Sequence, residues 1–159
     1  MSFIDSLIEH YQDHLEHERN LPFLRAAMAA CAMVASADGA VSFAERIRVD
    51  QILETLEQLK VFDPHEGVDL FNEFTDAILK NSEDGHQFAM SAVISGAPET
   101  AARELLIRVC LAVSEMNAGP DGNKALVDQI EIVTLCNRLD VSARNCGLYV
   151  DDPKFPDAG

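Results

Sequence analysis

Tryptophan is absent from this 159-residue chain, and aromatic residues make up only 6% of it. Sheets draw on aromatic and β-branched residues, whereas the Ala and Leu that abound here lose little on entering a helix. The composition therefore points to an all-α fold of one domain, long enough to bury a sizeable core. Positive charge is scarce too: 12 Lys and Arg stand against 27 Asp and Glu, a formal net charge of −15. Such a surface repels phosphate backbones and anionic headgroups, which argues against nucleic acid and direct membrane insertion. It suits multivalent cations and basic proteins, although acidity also serves solubility alone.

Long apolar runs are missing as well. The longest, "LPFLRAAMAACAMVASA", is short, Ala-rich and broken by Arg25, so no membrane span is expected. The opening "MSFIDSLIEHYQ" has neither a basic n-region nor an uninterrupted h-region, and a cytoplasmic location is the default. The cysteines, Cys31, Cys110, Cys136 and Cys146, show no C-x-x-C spacing. Three of them lie in apolar helical runs, as small core residues do. No G-x-S-x-G and no phosphate-cradling glycine loop is present, so nothing nominates an enzyme.

Periodicity gives the helices. Residues 2–19 read as an amphipathic helix with Phe3, Ile4, Leu7, Tyr11 and Leu15 on one side. "NLPF" is expected to break the chain before a second, all-round apolar helix to about residue 37. Further helices are expected over 42–59, from Asp63–Pro64 to about 80, over 85–94 after the turn "NSEDG", over 99–116, and to about 140. The tail "NCGLYVDDPKFPDAG" has no periodicity and reads as an extended or frayed end. The organisation expected is an N-terminal helix over 1–21, a helical domain over 22–141 and a tail over 142–159.

Within this pattern the chain repeats itself. With Asp38 laid on Asp121, Gly39 falls on Gly122 and Glu45 on Asp128. Phe43 and Ile47 then fall on Leu126 and Ile130, and Val49, Ile52, Leu53 and Leu56 on Ile132, Leu135, Cys136 and Leu139. Two helix–DG-loop–helix units of this kind commonly pack about a pseudo-twofold axis, which brings their loops to related places. Each loop resembles the second half of an EF-hand, with Asp38, Gly39 and Glu45 at the places of positions 5, 6 and 12. Neither loop supplies six oxygens alone, so a cation would have to be shared between them. A plainer account is available. Ser42-x-x-Glu45 is a capping box, and an Asp before a Gly suits an Asx-turn. Ala125 stands at the Ser42 place in the second copy, however, and cannot cap.

His10, His14 and His17 share one side of the first helix at i, i+4 and i+7, a spacing that can chelate zinc or nickel. A helical His cluster flanking an apolar stripe is also ordinary surface chemistry. His65 and His86 read as isolated surface residues.

The segments "AACAMVASADGAVSFAE", "LKVFD", "APETAARELLIRVCLAV" and "DGNKALVDQIE", in that order, resemble the tellurite-resistance TerB family over roughly residues 22–141. The resemblance implies a compact bundle of about seven helices in two similar halves. It also implies a metal site at Asp38, Glu45, Asp121 and Asp128, and a role in resistance to tellurite and other chemical stress. It further implies a protein partner within assemblies that include a membrane protein. Oxygen-only ligands favour calcium or magnesium, with zinc a third candidate. This chain departs from the family pattern in having Asp128 in place of Glu and the insertion "NAGP" in its second loop.

Overall fold

The structure, a computed structural model, describes residues 2–115 and 122–147. Helix α1 spans Phe3–Ala35, α2 Phe43–Thr55, α3 Pro64–Lys80, α4 Ser82–Gly96, α5 Thr100–Glu115 and α6 Gly122–Leu139, with a 3-10 turn at Glu57–Leu59. Among the described residues there is no strand, as the composition requires.

Among the described residues six helices form where about seven were expected, because the first two are one. Ser2 opens α1 with a capping box: its Oγ accepts from the Asp5 amide and Asp5 Oδ2 accepts from the Ser2 amide. The helix then runs through Pro22 to Ala35 without a break. A proline removes one helical donor and disfavours continuation. Here the deep burial that follows, Leu24 and Ala26 through Ala35, holds the helix in register. Gly96 at the end of α4 lies so close to the Pro22 carbonyl that a Cβ would collide with it. The division expected at residues 21 and 22 therefore falls inside a continuous helix.

The second half of α1 is the central pillar and packs against α3, α4, α5 and α6. Met28, Cys31 and Val34 on it are fully buried, facing a core that includes Phe71, Phe74, Leu106, Cys110 and Ile132. α5 is buried over most of its surface rather than on every face, since Arg108 and Ala112 are exposed. Asp63 caps α3 through the His65 amide, with Pro64 as first residue, as the sequence indicates.

α4 begins three residues earlier than expected. Asn81 caps it by accepting from the Asp84 amide at 3.1 Å, and "SEDG" becomes its first turn. Gly85 was expected to end a turn. Its role is instead close approach, because a Cβ there would meet the backbone of Ile78 on α3. α2 likewise ends at Thr55, and its expected last turn is the tighter 3-10 turn. The stripe Val49 and Leu53 is buried, as are Ile132, Leu135, Cys136 and Leu139 in the second copy. Phe43, Ile47 and Ile130 are exposed. No helix among the described residues is long and apolar enough to cross a membrane.

Candidate functional site

The first loop is built by a helix end and a helix start. α1 stops at Ala35, and the Gly39 amide donates to the Ser36 carbonyl at 3.0 Å. Gly39 has φ of +89°, a conformation that glycine adopts without a steric cost. Asp38 is exposed on this turn and its Oδ1 accepts from the Ala40 amide at 3.3 Å, the Asx-turn geometry. α2 then starts with a complete capping box. Ser42 Oγ accepts from the Glu45 amide at 3.1 Å, and Glu45 Oε1 accepts from the Ser42 amide at 2.9 Å. The capping role read from the sequence is therefore present.

Capping does not account for where Glu45 lies. Capping-box acids usually sit at the surface, but Glu45 is 0% exposed. In the second copy α6 begins at Gly122 itself, so Asp128 lies in its second turn, out of reach of a cap. It is nevertheless 1% exposed. The repeat thus places a buried carboxylate at the same step of both halves by two different local routes. Asp121 lies outside the described residues. Among the described residues no three His, Cys, Asp or Glu side chains gather in a way that could hold a metal ion.

One buried charged residue escaped the sequence reading. Arg48, one turn after Glu45 on α2, is 8% exposed and donates from Nη1 to the Val113 carbonyl of α5 at 3.1 Å. The i, i+3 spacing of Glu45 and Arg48 was the available signal. The described interior thus contains two carboxylates and one guanidinium.

The histidines do not form one group. His17 Nε2 lies 3.0 Å from Glu66 Oε2 of α3, and its ring packs on Phe62. His10 and His14 are exposed on the free part of α1. His86, expected to be isolated, is half-buried. Its Nδ1 is 2.7 Å from the Ser82 carbonyl and its Nε2 3.6 Å from Glu131 of α6. This pair borders an open pocket of about 360 Å³ beside the first loop, lined also by Ser36, Gly39 and Ile78.

All four thiols are free and buried. The Cys110 thiol is pushed well above the ordinary range, first by its hydrogen bond with Cys31 and then by burial. Burial, with Cys146 beside it, raises Cys136 to about 11. Cys146 is raised as well, chiefly by burial. Nucleophilic and redox thiols need an accessible thiolate, which these surroundings oppose.

Fold and site together define an acidic domain, helical throughout its described residues, with one central helix and a buried carboxylate near the start of both α2 and α6. The model of the family described as tellurite resistance protein TerB matches residues 24–143, and the chain belongs to that family. It is similar to a tellurium resistance protein TerB of Alcaligenes sp, with 30% identity over 91 residues that cover 57% of this chain and 75% of that protein. No solved structure matches the chain significantly.

Proposed function

We propose that this chain is a non-enzymatic, cytoplasmic binding module of a tellurite- and chemical-stress-resistance system, and that its loop carboxylates take up a divalent cation. One observation carries the reading. Glu45 and Asp128, which the repeat lays on one another, are both buried carboxylates. Ionised carboxylates are costly to bury unless positive charge or hydrogen bonds compensate them. A divalent cation bound through their oxygens would add to whatever compensation the protein gives them.

The donor type sets the choice of ion, although Asp38, Glu45 and Asp128 are not gathered as a ligand group among the described residues. Asp38, Glu45, Asp121 and Asp128 would hold the ion through oxygen alone, which suits calcium or magnesium; zinc prefers nitrogen or sulfur and is third. The hydrogen bonds that Asp38 and Glu45 accept from the Ala40 and Ser42 amides do not exhaust a carboxylate, which has about four lone-pair directions. Family membership supports the resistance role. The test is a thermal melt of metal-stripped protein across calcium, magnesium and zinc, with deletion of the gene scored for tellurite tolerance. Ion-dependent stabilisation and a sensitised host are expected.

A second reading, a metal-independent scaffold that docks a basic or membrane-bound partner protein, has its own support. The first turns of α1 carry an apolar stripe that nothing in the described structure covers. Stability indifferent to every ion would favour this reading over the first.

A further inference from the structure

Between α1 and α4 lies an open groove of about 380 Å³. Leu21 and Pro22 of α1 form one wall, and Phe88 and Ala92 of α4 the other. At Gly96, α4 comes down onto the Pro22 carbonyl. A volume of this size with mainly apolar walls suits a small-molecule site. The charged side chain among those lining it is Arg25. It is half-buried, and its Cζ stands over the Phe74 ring, 5.6 Å from the centroid. Phe88 packs on the same ring with centroids 4.9 Å apart, so guanidinium and apolar wall share one support. Arg25 differs from the other arginines held below the surface. Arg48 donates to the Val113 carbonyl, and Arg103 to the Ala97 and Leu139 carbonyls. No hydrogen bond or ion pair joins Arg25 to another described residue. Attraction to the ring face offsets part of its desolvation but leaves its N–H donors without a protein acceptor.

The sequence isolates this charge. From Asn20 to Ala35 α1 carries no other charged residue, and from Gln87 to Gly96 α4 carries none. A chain of net charge −15 thus keeps one cation in a groove that no described carboxylate lines. We propose that the groove binds a small carboxylic acid with an apolar body. Its carboxylate pairs with Arg25, and its hydrocarbon lies along Leu21, Pro22, Phe88 and Ala92. A planar guanidinium matches a carboxylate with two parallel hydrogen bonds. One cation also balances one negative charge, whereas a phosphate group would keep a surplus that the acidic surface repels. Ser91 and Ser95, one turn apart on α4, border the same groove and can donate to the carboxylate as well. The site is independent of the loop carboxylates and of any cation they hold.

The test titrates octanoate into the full, metal-stripped chain and follows the backbone amide resonances, so its outcome says nothing of cation binding. Saturable shifts confined to residues 21–25 and 88–96 are expected. Octanol and octylamine keep the hydrocarbon without the carboxylate and should bind roughly tenfold more weakly or worse. Acetate, which keeps the carboxylate alone, should be as weak. These comparisons need no variant. Arg25→Gln should lose roughly tenfold or more in affinity, and Arg25→Lys, which keeps the charge without the fork, should fall between. Circular dichroism shows whether each variant is folded. No saturation at millimolar octanoate, shifts centred elsewhere, or equal affinity for octanoate and octanol overturns the proposal. So does unchanged affinity in a folded Arg25→Gln variant. Equal binding of acetate also overturns it, because that leaves an adventitious ion only, and tighter binding of octyl phosphate does so by assigning the groove to another ligand class.

Discussion

His17 and Glu66 lie 49 positions apart in the chain and meet with Nε2 and Oε2 at 3.0 Å. Their contact joins the middle of α1 to the first turn of α3, and Phe62 packs against the same imidazole with ring centroids 4.8 Å apart. It marks the line between the part of α1 that is core and the part that is free. Both partners are partly solvated, so Glu66→Ala should cost only about 0.5 kcal/mol of global stability. Its effect should be local. Amide exchange of residues 3–17 is expected to quicken while that of residues 24–35 stays as in wild type. Equal acceleration in both stretches would contradict the assignment.

The glycines of α4 separate steric approach from backbone strain. Gly96→Ala drives a methyl into the Pro22 carbonyl, and Gly85→Ala drives one into the Ile78 backbone. Neither neighbour is a flexible side chain that can swing away, so each substitution should cost about 2–3 kcal/mol in urea unfolding. Gly39→Ala meets nothing within 4 Å and bears only its positive φ. About 1 kcal/mol is expected there.

The thiols give a pH dependence whose sign follows from linkage. Burial holds Cys136 at about 11 in the folded chain, against 9.0 for an ordinary thiol. An unfolded chain therefore loses this proton first, and stability is fully present below pH 9 and lost as pH rises toward 11. Cys110, raised by its bond with Cys31, acts in the same direction. Cys136→Ala should flatten the decline between pH 9 and 11 in denaturant melts. A wild-type curve level across that window would refute the burial account.

Ser42→Ala isolates the cap from any ion site. The substitution removes the acceptor for the Glu45 amide and should cost roughly 1 kcal/mol. That loss should be the same with and without divalent ions, as seen by paired thermal melts. Asp128→Asn removes no cap, and the stability change it causes should differ with and without divalent ions.

Much of this fold could be read from periodicity and capping chemistry. Asp63–Pro64 opens α3 and Ser42-x-x-Glu45 opens α2 because local residues decide both. The misreadings occurred where distant packing overrides local preference. Pro22 breaks an isolated helix, but here the burial of Ala26 through Ala35 carries the helix on. Gly85 signals a turn until Ile78 of α3 is placed beside it. Site positions were partly legible for the same reason. The repeat picked out Glu45 and Asp128 by register, and both are buried. It did not pick out Arg48, whose importance lies in a long side chain reaching the Val113 carbonyl on another helix.

Titration calorimetry of metal-stripped protein with calcium, magnesium and zinc in turn tests the central claim most directly. The account predicts saturable heat in wild type, greatly weakened in Asp38→Asn and Asp128→Asn and weakened in Glu45→Gln, with circular dichroism showing each variant folded. A ligand that binds only the folded state must then raise the melting temperature as its concentration rises. No heat at millimolar calcium, magnesium or zinc would contradict the cation reading and leave the carboxylates a structural role.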